Sequence, residues 1–115
     1  MAIERTQPSW IATPQKIREA VGRIVEAAHP LKVIMFGSQA RGDANTDSDV
    51  DLMVIQERVE NVTAESARLR AAFRDVDLSA DVLVTSLSKF DYWRDTPGNV
   101  YYEAAHEGRL LYEAP

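Results

Sequence analysis

The 115-residue sequence contains no cysteine, which excludes disulfides, thiolate zinc sites and cysteine nucleophiles. Basic residues are in deficit: 13 Lys and Arg stand against 18 Asp and Glu, for a net charge of −5. A surface of that sign repels polyanions, so stable binding to long DNA or RNA is not expected. No apolar run approaches the roughly 20 residues that span a bilayer. The first residues, with Glu4, Arg5, Gln7, Pro8 and Ser9, hold no apolar signal core, so no membrane attachment and a cytoplasmic location are expected. Repeats and low-complexity tracts are missing too. Hydrophobic residues make up 45% and charged ones 27%, a composition that folds rather than staying disordered. The length suits one domain over residues 1–115, with 1–12 as a loose lead-in whose Trp10 and Ile11 can tuck against the body.

Thr13 and Pro14 together open a helix, since threonine caps free amides and proline loses nothing at the first helical position. Ile17, Val21, Ile24, Val25 and Ala28 then form one apolar stripe that ends before Pro30. Leu31 to Phe36 reads as a short buried strand broken by Gly37, and Asp49 to Gln56 as a second strand. Thr63 is placed to cap a helix through about Asp75, with an apolar side of Ala67, Leu69, Ala71, Ala72 and Phe73. Ala80 to Thr85 reads as a third strand. Beyond it come a short helix from Ser88 to Trp93, another from Asn99 to His106, and an edge strand from Arg109 to Glu113. Strands interleaved with helices predict an α/β or α+β domain: a small mixed sheet with flanking helices.

Four aspartates, Asp43, Asp47, Asp49 and Asp51, crowd into nine positions. In a strand, residues two apart share a face, so Asp49 and Asp51 project together with Cα atoms roughly 6–7 Å apart. Carboxylates so placed repel each other, and a divalent cation relieves the repulsion; hard oxygen ligands of this kind suit magnesium with waters and substrate phosphates. Gly37 permits a sharp bend and close approach of a phosphate, while Ser38 offers a hydroxyl and opens a short turn of helix. Arg41, at the end of that turn, either adds positive charge toward phosphates or pairs with Asp43 or Asp47. Asp43 and Asp47 themselves read as loop-forming and solvated. Two other motifs fail. Gly37 and Gly42 have Walker A spacing, but Asp43 and Ala44 replace its lysine and Ser/Thr; Asp47, Asp49 and Asp51 imitate an EF-hand, but Leu52 and Arg58 stand where its glycine and glutamate belong.

The spacing Gly37-Ser38, ten residues, then Asp49-x-Asp51 resembles the signature of the DNA polymerase beta-like nucleotidyltransferase superfamily. The runs Gly37-Ser38-Gln39-Ala40-Arg41-Gly42 and Ser48-Asp49-Val50-Asp51-Leu52, with the ending Glu107 to Glu113, are similar to its minimal nucleotidyltransferase subfamily. The resemblance implies the polymerase beta-like fold and a third carboxylate on a later strand, for which Asp81 is the candidate and Asp77, in a second Asp-x-Asp with Asp75, the rival. It implies transfer of a nucleotide from a triphosphate such as ATP to a hydroxyl, with two magnesium ions held by Asp49, Asp51 and Asp81, and Asp81 also available as general base. Gly37, Ser38 and Arg41 fall to the nucleotide. Larger relatives carry extra substrate domains for which 115 residues leave no room. A partner that presents the acceptor is therefore expected. Members of the subfamily act as antitoxins beside a HEPN-domain ribonuclease toxin, some by placing AMP on a tyrosine, which implies a hetero-oligomer with the toxin. A binding-only antitoxin and a small-molecule (antibiotic) nucleotidyltransferase are the alternatives.

Two features stay outside that reading. His29 and His106 fall at helix ends. Phe90, Tyr92, Trp93, Tyr101 and Tyr102 cluster within thirteen positions, either to complete the core or to dock a partner.

Overall fold

The computed structural model describes residues 12–42 and 49–115; Trp10, Ile11, Asp43, Asp47 and Ser48 lie outside them. In chain order the elements are α1 (Pro14–Ala28), β1 (Lys32–Phe36), α2 (Ser38–Arg41), β2 (Val50–Gln56), α3 (Val62–Ala72), β3 (Ala80–Ser86), α4 (Leu87–Trp93), α5 (Val100–Glu107) and β4 (Arg109–Glu113). The four strands form one sheet in the order β3-β2-β1-β4. β1 runs antiparallel to β2 and β4, whereas β2 and β3 are parallel, so the expected mixed sheet with flanking helices is present.

Strand alternation divides the core in two. Val33, Met35, Val50, Leu52, Val54 and Val84 point to the face covered by α1 and α3, where they meet Ile24, Leu69 and Phe73. Ile34, Phe36, Met53 and Ile55 point to the opposite face and pack with Phe90 of α4 and Ala104 of α5. A strand covered on both faces must be apolar at both parities, and Leu52 to Ile55 are all completely buried. On the second face, the row Ile55-Met53 continues with Asp51 toward the beginning of β2. A carboxylate thus takes the place of the next core side chain.

Several helix boundaries differ from the expected ones, each for a local reason. Helix α1 is capped by Thr13 as predicted, its hydroxyl accepting from the Lys16 amide at 3.2 Å. Helix α3 is capped two residues before Thr63, because Asn61, a stronger cap, accepts from the Ala64 amide at 3.0 Å. It stops at Ala72 rather than Asp75: beyond Phe73 the chain turns to bury Val76 and Leu78, and Asp75 is drawn to Arg23 of α1, with a 2.8 Å contact in a two-point pair. Of the apolar side expected for α3, only Leu69 is buried within the helix, joined by Phe73 just after it. Ser86, not Ser88, caps α4, its hydroxyl accepting from the Lys89 amide at 3.2 Å, so that helix begins as soon as β3 ends.

The aromatic cluster divides. Phe90 is core, whereas Tyr92 is 75% exposed with its ring edge-on to Trp93 at 4.9 Å. Tyr102 stacks on His106, which is 3.1 Å from Asp95, and His29 closes α1 in a left-handed conformation. No helix among the described residues is long and apolar enough to cross a membrane.

Candidate active site

The site forms where the end of β1 meets the beginnings of β2 and β3. Phe36 is the cross-strand partner of Asp51, so Gly37, the next residue, leaves the sheet beside the Asp51 carboxylate. Its backbone, at φ 78° and ψ −163°, lies in a region reserved for glycine, and a Cβ there would overlap an Asp51 oxygen. Glycine is therefore required twice, by the bend and by the neighbour. Ser38 begins α2, a single turn that closes at Gly42 in the left-handed conformation.

Asp51 and Asp81 are in direct register across parallel β2 and β3. Neighbouring strands lie roughly 4.8 Å apart and in-register residues share a face, so the two acids form a side-by-side pair. Asp77 is exposed in the turn before β3, outside the sheet. Arg70 of α3 donates to the Ala80 carbonyl and so anchors the strand start that carries Asp81. Asp49 precedes β2, where the Val50 amide donates to the Ser79 carbonyl at 3.0 Å and the Ser79 hydroxyl donates to the Asp49 carboxylate. Asp51 and Asp81 are thus brought together directly, while Asp49 sits beside them engaged by Ser79. Among the described residues, no three His, Asp or Glu side chains stand close enough to make a preformed metal cage.

Electrostatics sets this corner apart. Burial pushes the Asp51 carboxyl above its ordinary value, and the charges of Asp81, Asp49 and Glu103 push it further, with Arg41 pulling the other way. A half-buried carboxylate beside like charges is costly to ionise, and a hard divalent cation is the natural counter-charge. The donor set, all carboxylate oxygen, fits magnesium. Arg41 donates to Glu103 of α5 and lies 3.8 Å from Glu107. The partners expected for it, Asp43 and Asp47, fall outside the described residues.

Two neighbours of the site were not foreseen. Ser79 has the same parity as Asp81 two residues before it, a weak signal in retrospect. Glu103 lies 62 positions from Arg41, and nothing local links them.

A nucleotidyltransferase domain model matches residues 14–105, and the chain belongs to that family. Nucleotidyl transfer is therefore the general chemistry of the domain. The fold is similar to the crystal structure of a protein from Sulfolobus solfataricus that is provisionally described as a nucleotidyltransferase. That similarity has a TM-score of 0.60 at 20% identity and covers 86% of this chain and 78% of the other. No curated protein sequence matches significantly.

Proposed function

We propose that this chain is a magnesium-dependent protein adenylyltransferase acting as an antitoxin: it moves AMP from ATP to a tyrosine hydroxyl of a partner HEPN-domain ribonuclease and so neutralises it. The observation that carries the reading is the in-register pair Asp51 and Asp81 beside the Gly37 bend. Asp49, Asp51 and Asp81 would hold the metal. Bound there, magnesium neutralises phosphate charge and lowers the pKa of the acceptor hydroxyl.

The residues divide the remaining work. Asp81, exposed at the start of β3, accepts the acceptor proton as general base. The hydroxyl oxygen bonds to the α-phosphorus, the bond from that phosphorus to the bridging oxygen breaks, and pyrophosphate leaves with the electron pair. Ser38 and Arg41 orient the β- and γ-phosphates, which contributes positioning rather than chemistry. The net charge of −5 favours a protein acceptor over a polynucleotide. The antitoxin role and the HEPN partner rest on the resemblance of residues 37–52 and 107–113 to minimal nucleotidyltransferases.

The test uses ATP labelled at the α-phosphate, Mg2+, this protein and the product of the adjacent gene, which the proposal expects to be a HEPN-domain ribonuclease. Label is expected on the partner and is expected to vanish with Asp49→Asn or Asp51→Asn. Label that persists in both variants refutes the site. A tight unlabelled complex selects the binding-only antitoxin, for which the exposed Tyr92 and Trp93 offer a contact surface.

A further inference from the structure

The turn that carries Gly37 and Ser38 is tied from outside by charge. Arg41, its last helical residue, donates to the Glu103 carboxylate, and Glu107 stands 3.8 Å away, one turn further along α5. From β4, the Arg109 Nε–H donates to the Ala40 carbonyl at 3.0 Å. Side-chain exposure of 37% for Arg41 and 31% for Glu103 leaves the pair within reach of a ligand. The pair also borders the acids. Burial, then Asp81 and Asp49, push the Asp51 carboxyl up; Glu103 adds to that push and Arg41 opposes it. Glu103 and Glu107 both stand against Arg41 and offset the positive charge that a polyphosphate would otherwise meet there. A phosphate chain offers paired oxygens that match a guanidinium better than water does, so it competes with Glu103 for the same N–H donors.

On the nucleotidyltransferase reading above, we propose that Glu103 is a positioning residue that latches Arg41 in the nucleotide-free protein, and that a bound nucleoside triphosphate takes Arg41 over from it. Glu103 thereby lowers triphosphate affinity. Occupancy of the site is reported to α5 through the release of one carboxylate.

The experiment is calorimetric titration with Mg2+ and α,β-methylene-ATP, which cannot be cleaved at the reacting bond. Glu103→Gln keeps size and removes charge; for a partly exposed ion pair it should tighten binding roughly two- to fivefold. Arg41→Gln should weaken binding, and Glu103→Gln should add nothing once Arg41 is already Gln. Unchanged or weaker binding by Glu103→Gln overturns the latch. Equal tightening in both backgrounds also overturns it, because the effect is then a general charge effect and not the pair. Wild-type protein that takes up no Mg2+-nucleotide overturns the nucleotidyltransferase reading and the latch together, whereas normal wild-type binding with an inert Glu103→Gln removes the latch alone. Should thermal melts show Glu103→Gln unfolded, Glu103→Asp, whose carboxylate is withdrawn from Arg41, must tighten binding in the same direction or the latch fails.

Discussion

Replacing Gly37 by alanine should damage stability and activity together, and the geometry sets both amounts. At φ 78° and ψ −163° the backbone is outside even the left-handed helical region that asparagine tolerates, so any side chain adds about 1–3 kcal/mol of strain. For a chain of this size each kcal/mol lowers the melting temperature by about 4–6 °C, giving a fall of roughly 5–15 °C. The new Cβ also overlaps an Asp51 oxygen and stands 3.3 Å from its Cγ. Asp51 is flanked by Phe36 on one strand and Asp81 on the other, so its carboxylate escapes only by rotating out of register with Asp81. A displacement of about 1 Å in a catalytic group is enough for a loss of about 100-fold. Thermal melts and magnesium-dependent pyrophosphate release measure the two effects. Gly42 is the control: it has φ 80° and ψ 10°, and among the described residues nothing lies within 4 Å of a Cβ built there. Gly42→Asn should therefore be mild while Gly37→Asn is severe. A Gly37→Ala protein with wild-type melting and undiminished pyrophosphate release would refute the close packing of Gly37 on Asp51 and the site built around it.

Asp51→Asn should raise the melting temperature of the metal-free protein, because it removes a half-buried charge facing Asp81 and Asp49, while abolishing pyrophosphate release; a lower melting temperature contradicts the electrostatic account. The Glu65 carboxyl is held at about 2 by hydrogen bonds from Arg68 and Gln56, below its ordinary 4.5. Its folded pKa is depressed, so its stabilisation is complete above pH 4.5 and is lost as pH falls from 4.5 toward 2. Arg68 is half exposed, and screening keeps the effect below about 1 kcal/mol. Urea midpoints at pH 7 and pH 3 should differ less in Glu65→Gln than in wild type. Phe90→Ala should cost about 3–5 kcal/mol by urea denaturation, and Tyr92→Ala within about 0.5 kcal/mol, since one ring is 2% exposed and the other 75%.

Most of the element order was readable because each element carries its own chemistry. Thr13-Pro14, the three- and four-residue spacing through α1, and the apolar runs of β1 and β3 act over a few positions. Boundaries slipped where two capping residues compete nearby: Asn61 won over Thr63, and Ser86 over Ser88. The aromatic cluster stayed ambiguous because Phe90 and Tyr92 differ in burial through α4's orientation, which no spacing within residues 90–102 reveals.

The Gly37-Ser38 and Asp49-x-Asp51 spacing, and the shared face of the two acids, are local properties of chain geometry and follow from residue order. Which strand lies beside β2 is another matter. That Asp81 stands opposite Asp51, that Ser79 reaches Asp49 and that Glu103 reaches Arg41 depend on sheet order, register and the packing of α5. Periodicity tells which side of an element seeks the core, but the burial of two-sided β2 between two helix layers selects the neighbours, and those neighbours complete the site.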